Sequence, residues 1–354
     1  MRLTSIKPHL LKRFLFVTLT LTILYFAFYN IGPAIRYNVV PHPHPALLDF
    51  ENSHPSSNDT LPSVSLVVAS IKGEDISWAY NLPIPNLKVF QYVSNDPSAE
   101  YHPPRAKGRE ALMYFTYLHD FYDSLYDITI FVHADETPWH VEGTLLQNTS
   151  FALSNLVLEQ VQQREYFNLR ATWRAGCPAW INTQKTFADT DRKEEEPYMA
   201  EAWHANFSED EIVPEKVGGP CCSQFAVTRE AIRRRPREQY RRSMDWILSS
   251  RWSDAVLGRL WEHMWPRLFT DDASDCSHSE RGSLCQMYGV CFETDRQLND
   301  YKELWEVRER LKEDMSFFRA LWDAKRAAAA EKRLVEVNDE IERQLSVAML
   351  RDNV

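Results

Sequence analysis

The chain has 354 residues, 44% of them hydrophobic and 12% aromatic, which is enough for one sizeable core with appendages and too much for a disordered protein. Its 50 acidic residues outweigh 40 basic ones, for a formal net charge of −10 at pH 7. No global positive field therefore draws in a phosphate backbone, and nucleic acid is not expected as a partner.

From Phe14 to Ile35 run 22 residues without a charge, about 30 Å of helix at about 1.5 Å per residue, the thickness of a hydrocarbon core. The segment reads as an uncleaved transmembrane signal anchor, because no small-x-small site precedes its aromatic YFAFYN end. Arg2, Lys7, Lys12 and Arg13 come before it and only Arg36 follows closely. That bias puts a tail of residues 1–13 in the cytosol and everything after the span in a lumen or outside the cell. Residues 36–62 hold five prolines among scattered His and Ser and read as an extended stem. Asn58, Asn148 and Asn206 each open an N-x-Ser/Thr triplet, a glycosylation acceptor in a secretory compartment.

A folded α/β domain is expected over residues 63–295. SVSLVVAS (63–70), KVFQYV (88–93) and ITIFVHA (128–134) are short β-branched runs and read as strands. Between 108 and 125, Ala111, Leu112, Phe115, Leu118, Tyr122 and Leu125 recur at spacings of three and four, so a helix with one buried face is expected. A second helix is expected over 150–163. Strand, strand, helix, strand and helix in this order predict a mainly parallel sheet. A helical extension follows over 296–354, where Leu304, Val307, Leu311, Met315, Phe318 and Trp322 form a stripe that Leu334, Ile341 and Leu345 continue. Ala327 to Ala330 reads as a thin linker within it.

All six cysteines (Cys177, Cys221, Cys222, Cys276, Cys285 and Cys291) lie beyond the span, and an even number suits an oxidising compartment. Adjacent Cys221 and Cys222 are expected to take distant partners, Cys177 for one and the Cys276–Cys291 cluster for the other. The spacings contain no C-x2-C pair, which argues against zinc.

Chemistry is expected where the third strand runs out. His133 and Asp135 at i and i+2 of an extended segment point to the same side, and ligands of open parallel sheets collect at the carboxyl ends of strands. One or two protein groups plus substrate phosphates is the usual arrangement for Mg2+ or Mn2+, so His133 and Asp135 are the candidate metal ligands. The segment Asp135-Glu136-Thr137-Pro138 is equally good turn chemistry. Trp139 and His140 follow in the same loop. Arg109 and Glu110 open the first helix, where Arg109 can meet an anion beside the helix N-terminus. Gly218-Gly219-Pro220-Cys221-Cys222-Ser223-Gln224 reads either as a close backbone approach to a ligand or as a disulfide-pinned bend. Seven arginines between 229 and 242, with Glu230 and Glu238 among them, read as a solvated helix face. Glu262 stands among large apolar side chains in GRLWEHMW (258–265), where desolvation raises a carboxyl toward the pKa of a useful general base.

Taken together, KGREALMYFTYLHDFYDSLYDITIFVHADETPWH, NLR, CPAW, GGPCCSQFAVTREAIRRRPREQY and GRLWEHMWPRLF resemble the fungal "domain of unknown function 3431" family over roughly residues 63–270. The pattern of that family is in turn similar to lumenal glycosyltransferases of the GT-A type, with a type II anchor and a Rossmann-like mixed-sheet domain in the Golgi or ER. On that resemblance His133 and Asp135 take the place of an Asp-x-Asp metal motif binding Mn2+ or Mg2+. Asp135 and Glu262 take the catalytic roles, with Glu262 activating the acceptor hydroxyl. Arg109, Glu110, Trp139, His140 and Gln224 line the donor site. The chain departs from the family pattern at Ala106, where an Asn often precedes Lys-Gly-Arg-Glu, and at Pro266, where a His often follows the Trp. Asp189-Thr190-Asp191 is a true Asp-x-Asp, but it sits in a charged, loop-like segment.

Three function classes follow. The leading one is a glycosyltransferase moving a sugar from a nucleotide-sugar donor to a glycan or glycoprotein. The second is a metal-dependent hydrolase using His133, Asp135 and His140. The third is a membrane-anchored scaffold that presents the C-terminal helix.

Overall fold

The structure, a computed structural model, describes residues 61–174, 176–188, 193–316 and 323–351. The expected cytosolic tail, anchor and nearly all of the stem, together with Asn58, Phe318, Trp322 and Asp189-Thr190-Asp191, lie outside the described residues. Among the described residues no helix is long and apolar enough to cross a membrane.

In chain order the elements are β1 (Val64–Ser70), β2 (Leu87–Val93), α1 (Glu110–Asp120), β3 (Ile128–His133), α2 (Thr149–Ser154), α3 (Leu158–Arg164), β4 (Tyr166–Asn168) and β5 (Ile181–Asn182). Then come α4 (Met199–Asn206), β6 (Lys216–Val217), β7 (Phe225–Thr228), α5 (Arg229–Arg233), α6 (Arg237–Ser249), α7 (Asp254–Thr270), α8 (Glu280–Tyr288), α9 (Asp295–Asp314) and α10 (Ala324–Met349). The main sheet has the order β2-β1-β3-β7-β4. β1 pairs in parallel with both β2 and β3, Val64 opposite Leu87 and Ile128. β7 runs antiparallel to β3 and to β4, so the sheet is mixed, with β2, β1, β3 and β4 running one way and β7 the other. β5 and β6 form a separate two-stranded antiparallel ribbon.

β1 is buried at every position, the mark of a strand covered on both faces. Its period of two divides the core. Val64, Leu66 and Val68 face one layer with Ile130 of β3, Met287 and Tyr288 of α8, Tyr301 and Trp305 of α9, and Val337, Ile341 and Leu345 of α10. Val67 and Ala69 face the other, with Phe131, Phe115 of α1, Tyr240 of α6, and Trp261 and Trp265 of α7. Helix α1 is wedged between sheet, α6 and α7, so Glu110 through Leu118 are all buried and the single buried face expected from its spacing is an underestimate. The expected helix over 150–163 is broken in two, because the Asn155 amide turns back to the Phe151 carbonyl at 2.8 Å and the Val157 N–H donates to Met287 O at 2.8 Å. At the C-terminus, α9 packs against α10 and both close one face of the sheet. Ala327 to Ala330 is continuous helix rather than a linker, as expected of the residue with the highest helix propensity.

Candidate functional site

Because β1, β2 and β3 are parallel, their carboxyl ends lie on one side of the sheet, and the N-terminus of α1 lies among the groups gathered there. Glu110, the first residue of α1, is 7% exposed. Burial raises its carboxyl above the usual range, against the pull of its own backbone and a hydrogen bond from the Ser223 hydroxyl. His133 ends β3, and its backbone N–H donates to Gln224 Oε1 at 3.3 Å. The His133 and His140 rings stack with centroids 4.6 Å apart. Burial pushes both imidazoles down to about 4, with Arg109 adding to the effect at His133 and His133 to that at His140. Both are neutral at pH 7, and His140 Nδ1 is buried without a hydrogen-bond partner.

Asp135 is placed differently. It is exposed, and its Oδ1 accepts from the Thr137 N–H at 2.9 Å, so the carboxylate closes a turn. Trp139 is 64% exposed, its ring against His140 at 4.3 Å and beneath the Arg170 guanidinium at 5.6 Å. Arg170 Nη1 donates to the carbonyls of Trp139 and His140, each at 3.2 Å, and fastens this loop to the sheet.

The opposite wall is α7. Gly258, Glu262 and Pro266 fall at i, i+4 and i+8 and share one stripe of the helix. Gly258 lies under the Arg109 side chain, where an added Cβ would come within 3.1 Å of Arg109 Cδ. Pro266 borders Gly219. Glu262, between them, is half-buried. Burial, and then the negative charges of Glu110 and Glu195, raise its carboxyl to about 8, with Arg259 and a hydrogen bond from the Cys222 N–H opposing the shift. Next to it, the buried His263 Nε2 meets Glu195 Oε1 at 3.0 Å, and Arg259 reaches Glu194 at 3.4 Å.

The fold thus brings Glu110, His133, His140, Gln224, Glu262 and Arg109 together and leaves Asp135 exposed beside them. Asp135 holds one carboxylate oxygen in a turn, and His133 is half-buried at the strand end. Among the described residues no three His, Cys, Asp or Glu side chains converge as metal ligands. Sequence reasoning did not single out Arg170, Ser223 or Glu195. Arg170 does fall in the Asn-Leu-Arg block of the resemblance, whereas Glu195 sits in an acidic run that gave no signal.

The cysteines correct a second expectation. The bonds are Cys177–Cys276, Cys285–Cys291 and the vicinal Cys221–Cys222. The neighbours pair because their loop is folded back on itself, with φ of +85° at Cys222 and +25° at Ser223, and because Asn168 Nδ2 holds the Pro220 and Cys221 carbonyls at 2.8 and 3.3 Å. Of the described sequons, Asn148 caps α2 by accepting from the Phe151 N–H at 2.7 Å. Asn206 is fully buried with its amide nitrogen donating to Ala202 O at 2.8 Å, so the fold leaves no room for a glycan there.

The family model described as "Protein of unknown function (DUF3431)" matches residues 66–286, a span that holds every residue of this cleft. No curated protein and no solved structure matches the chain.

Proposed function

The chain belongs to the family of unknown function DUF3431, and from the chemistry of its cleft we propose that it is a glycosyltransferase taking a nucleotide-sugar donor and a hydroxyl acceptor on a glycan or glycoprotein. The observation that carries the reading is Glu262, a half-buried carboxyl raised to about 8 beside the buried Glu110. A carboxyl with a pKa near the working pH exchanges protons readily, as required of a base that removes the acceptor proton during transfer. Arg109 and Arg170 stand ready for the donor diphosphate, whose developing negative charge is the main quantity to stabilise. Trp139 offers an exposed aromatic face beside them. The mixed sheet with helices on both faces is read as a GT-A-like donor-binding layer.

Membrane topology supports the same reading. The uncharged Phe14–Ile35 run and its flanking basic residues suit a type II anchor with the domain in the Golgi or ER lumen, and three disulfides suit an oxidising compartment.

The test is calorimetric titration of the full chain with UDP and GDP, with and without Mn2+. Saturable binding of one diphosphate, weakened by Arg170→Ala and retained by Glu262→Gln, is the expected result. Transfer should be lost in Glu262→Gln. Absence of binding by either diphosphate in every combination would sink the proposal.

A further inference from the structure

Two stripes run along α7, set by its turn of about 100° per residue. Gly258, Glu262 and Pro266 form one, with the Arg109 side chain lying across Gly258. Val256 and His263 belong to the other, and Arg259 falls between the two. The segment 194–198 packs on the second stripe and is held there by buried carboxyls. Glu195 and Glu196 are each 1% exposed. Glu195 Oε1 meets His263 Nε2 at 3.0 Å, its Oε2 lies 3.7 Å from Arg259 Nη1, and Glu196 Oε1 accepts from the Asn182 N–H at 2.8 Å. Neither Oε2 has a hydrogen bond among the described residues. Adjacent buried carboxyls that are only partly satisfied do little for stability, and a segment fixed by them reads as placed for what it presents.

What it presents is Glu194, Pro197 and Tyr198. With Phe187, Glu201 of α4 and Val256 of α7 they line an open depression of about 640 Å3, within the size range of ligand sites. Phe187 is 62% exposed, and Tyr198, its ring against Trp252 at 5.0 Å, is 36% exposed. Glu194 Oε2 lies 3.4 Å from Arg259 Nη1, so the depression begins where the Glu262 stripe ends.

We propose that this depression is the acceptor subsite and that it takes an uncharged glycan chain. The two aromatic rings offer flat apolar surface to the C–H faces of pyranose rings, and the Glu194 and Glu201 carboxylates accept hydrogen bonds from sugar hydroxyls. Two carboxylates, with no cation among the described lining residues, repel a phosphate, sulfate or carboxylate group on the ligand. Around α7 the Glu262 stripe lies between Arg109 and the depression. Along it, Val256 and Glu262 are six residues or about 9 Å apart, a distance that a short oligosaccharide spans. A glycan resting on Phe187 and Tyr198 thus approaches Glu262 from the side opposite Arg109.

The acceptor role rests on the glycosyltransferase reading, but the test uses no nucleotide, so failure of diphosphate binding and failure of this inference are separate results. The full chain in a sugar-free detergent is titrated with chitotriose, mannotriose and maltotriose, and with a sialylated and a sulfated oligosaccharide, each to about 10 mM, by saturation-transfer-difference NMR. At least one neutral trisaccharide should bind saturably. Phe187→Ala and Glu201→Gln should each weaken it about fivefold or more, with unchanged thermal unfolding because both side chains are exposed. Val335→Ala, at an exposed position of α10, keeps the wild-type affinity. Neutral-glycan binding of this kind in a chain that takes neither UDP nor GDP would uphold the glycan site and sink the transferase reading. Absence of binding by all three neutral sugars, tighter binding of the sialylated or sulfated one, or wild-type affinity in both depression variants would each overturn the inference.

Discussion

Replacing Glu262 with Gln removes the titrating carboxyl while keeping the side chain's length. In the folded chain this carboxyl keeps its proton up to about 8, against 4.5 for an ordinary glutamate. Between those values the folded state binds a proton that the unfolded state has lost. Stability must therefore fall as pH rises through this window. Each pH unit costs about 1.4 kcal/mol, and allowing for partial ionisation at the two ends the loss between about pH 5 and about pH 8 is about 3–4 kcal/mol. Glu262→Gln has nothing to lose there. Urea denaturation at a series of pH values should give a variant curve flatter than wild type by that amount, with the variant the more stable protein at pH 8. Parallel curves would mean that Glu262 is ionised in the native cleft at neutral pH, and the case for an acid/base carboxyl would fall with it.

Other consequences can be read from the same geometry. His133 and His140, held down to about 4 by burial, should show imidazole Cε1–H shifts of the neutral ring from pH 8 down to about 5 by NMR. Their folded values lie below the unfolded 6.5, so they favour the unfolded state as pH falls from 6.5 toward 4, and wild type should lose stability over that range. Gly258→Ala brings a Cβ within 3.1 Å of a flexible side-chain carbon of Arg109. Arg109 should swing aside while the helix gains from the better helix former, so stability by thermal unfolding changes by no more than about 1 kcal/mol and nucleotide affinity drops. Gly176→Ala is the opposite case, because its Cβ would overlap the Gly219 carbonyl oxygen, a backbone atom that cannot swing away. That variant should lose several degrees or more in Tm by calorimetry, and an unchanged Tm would show that this close approach is absent.

Much of the layer order was legible because it follows from local pattern. Continuous apolar runs located β1, β2 and β3 to within a residue or two, and the 3.6-residue period located α1 and the C-terminal helices. Glu262 could be singled out because Trp261 and Trp265 announce a buried helix around it, and burial is the largest cause of its shift. The break between α2 and α3 was not legible, since it depends on a hydrogen bond from Val157 to Met287 in a distant element. Nor was the turn that Asp135 closes through the Thr137 amide at 2.9 Å, one of the two roles its spacing offered.

What the sequence determined by itself was therefore whatever depends on neighbours along the chain: periodicity, apolar runs, a charge-free segment flanked by basic residues, and the number of cysteines. Tertiary structure decided which groups meet. The Cys221–Cys222 bond, the opposition of Glu110 and Glu262 across the cleft, and the bridge that Arg170 makes from the His140 loop to Cys222 join residues dozens to more than a hundred positions apart or depend on backbone angles set by such partners. Pairwise electrostatics and hydrogen bonding act over a few ångströms of space and carry no signature of sequence distance, so only the folded chain could assign them.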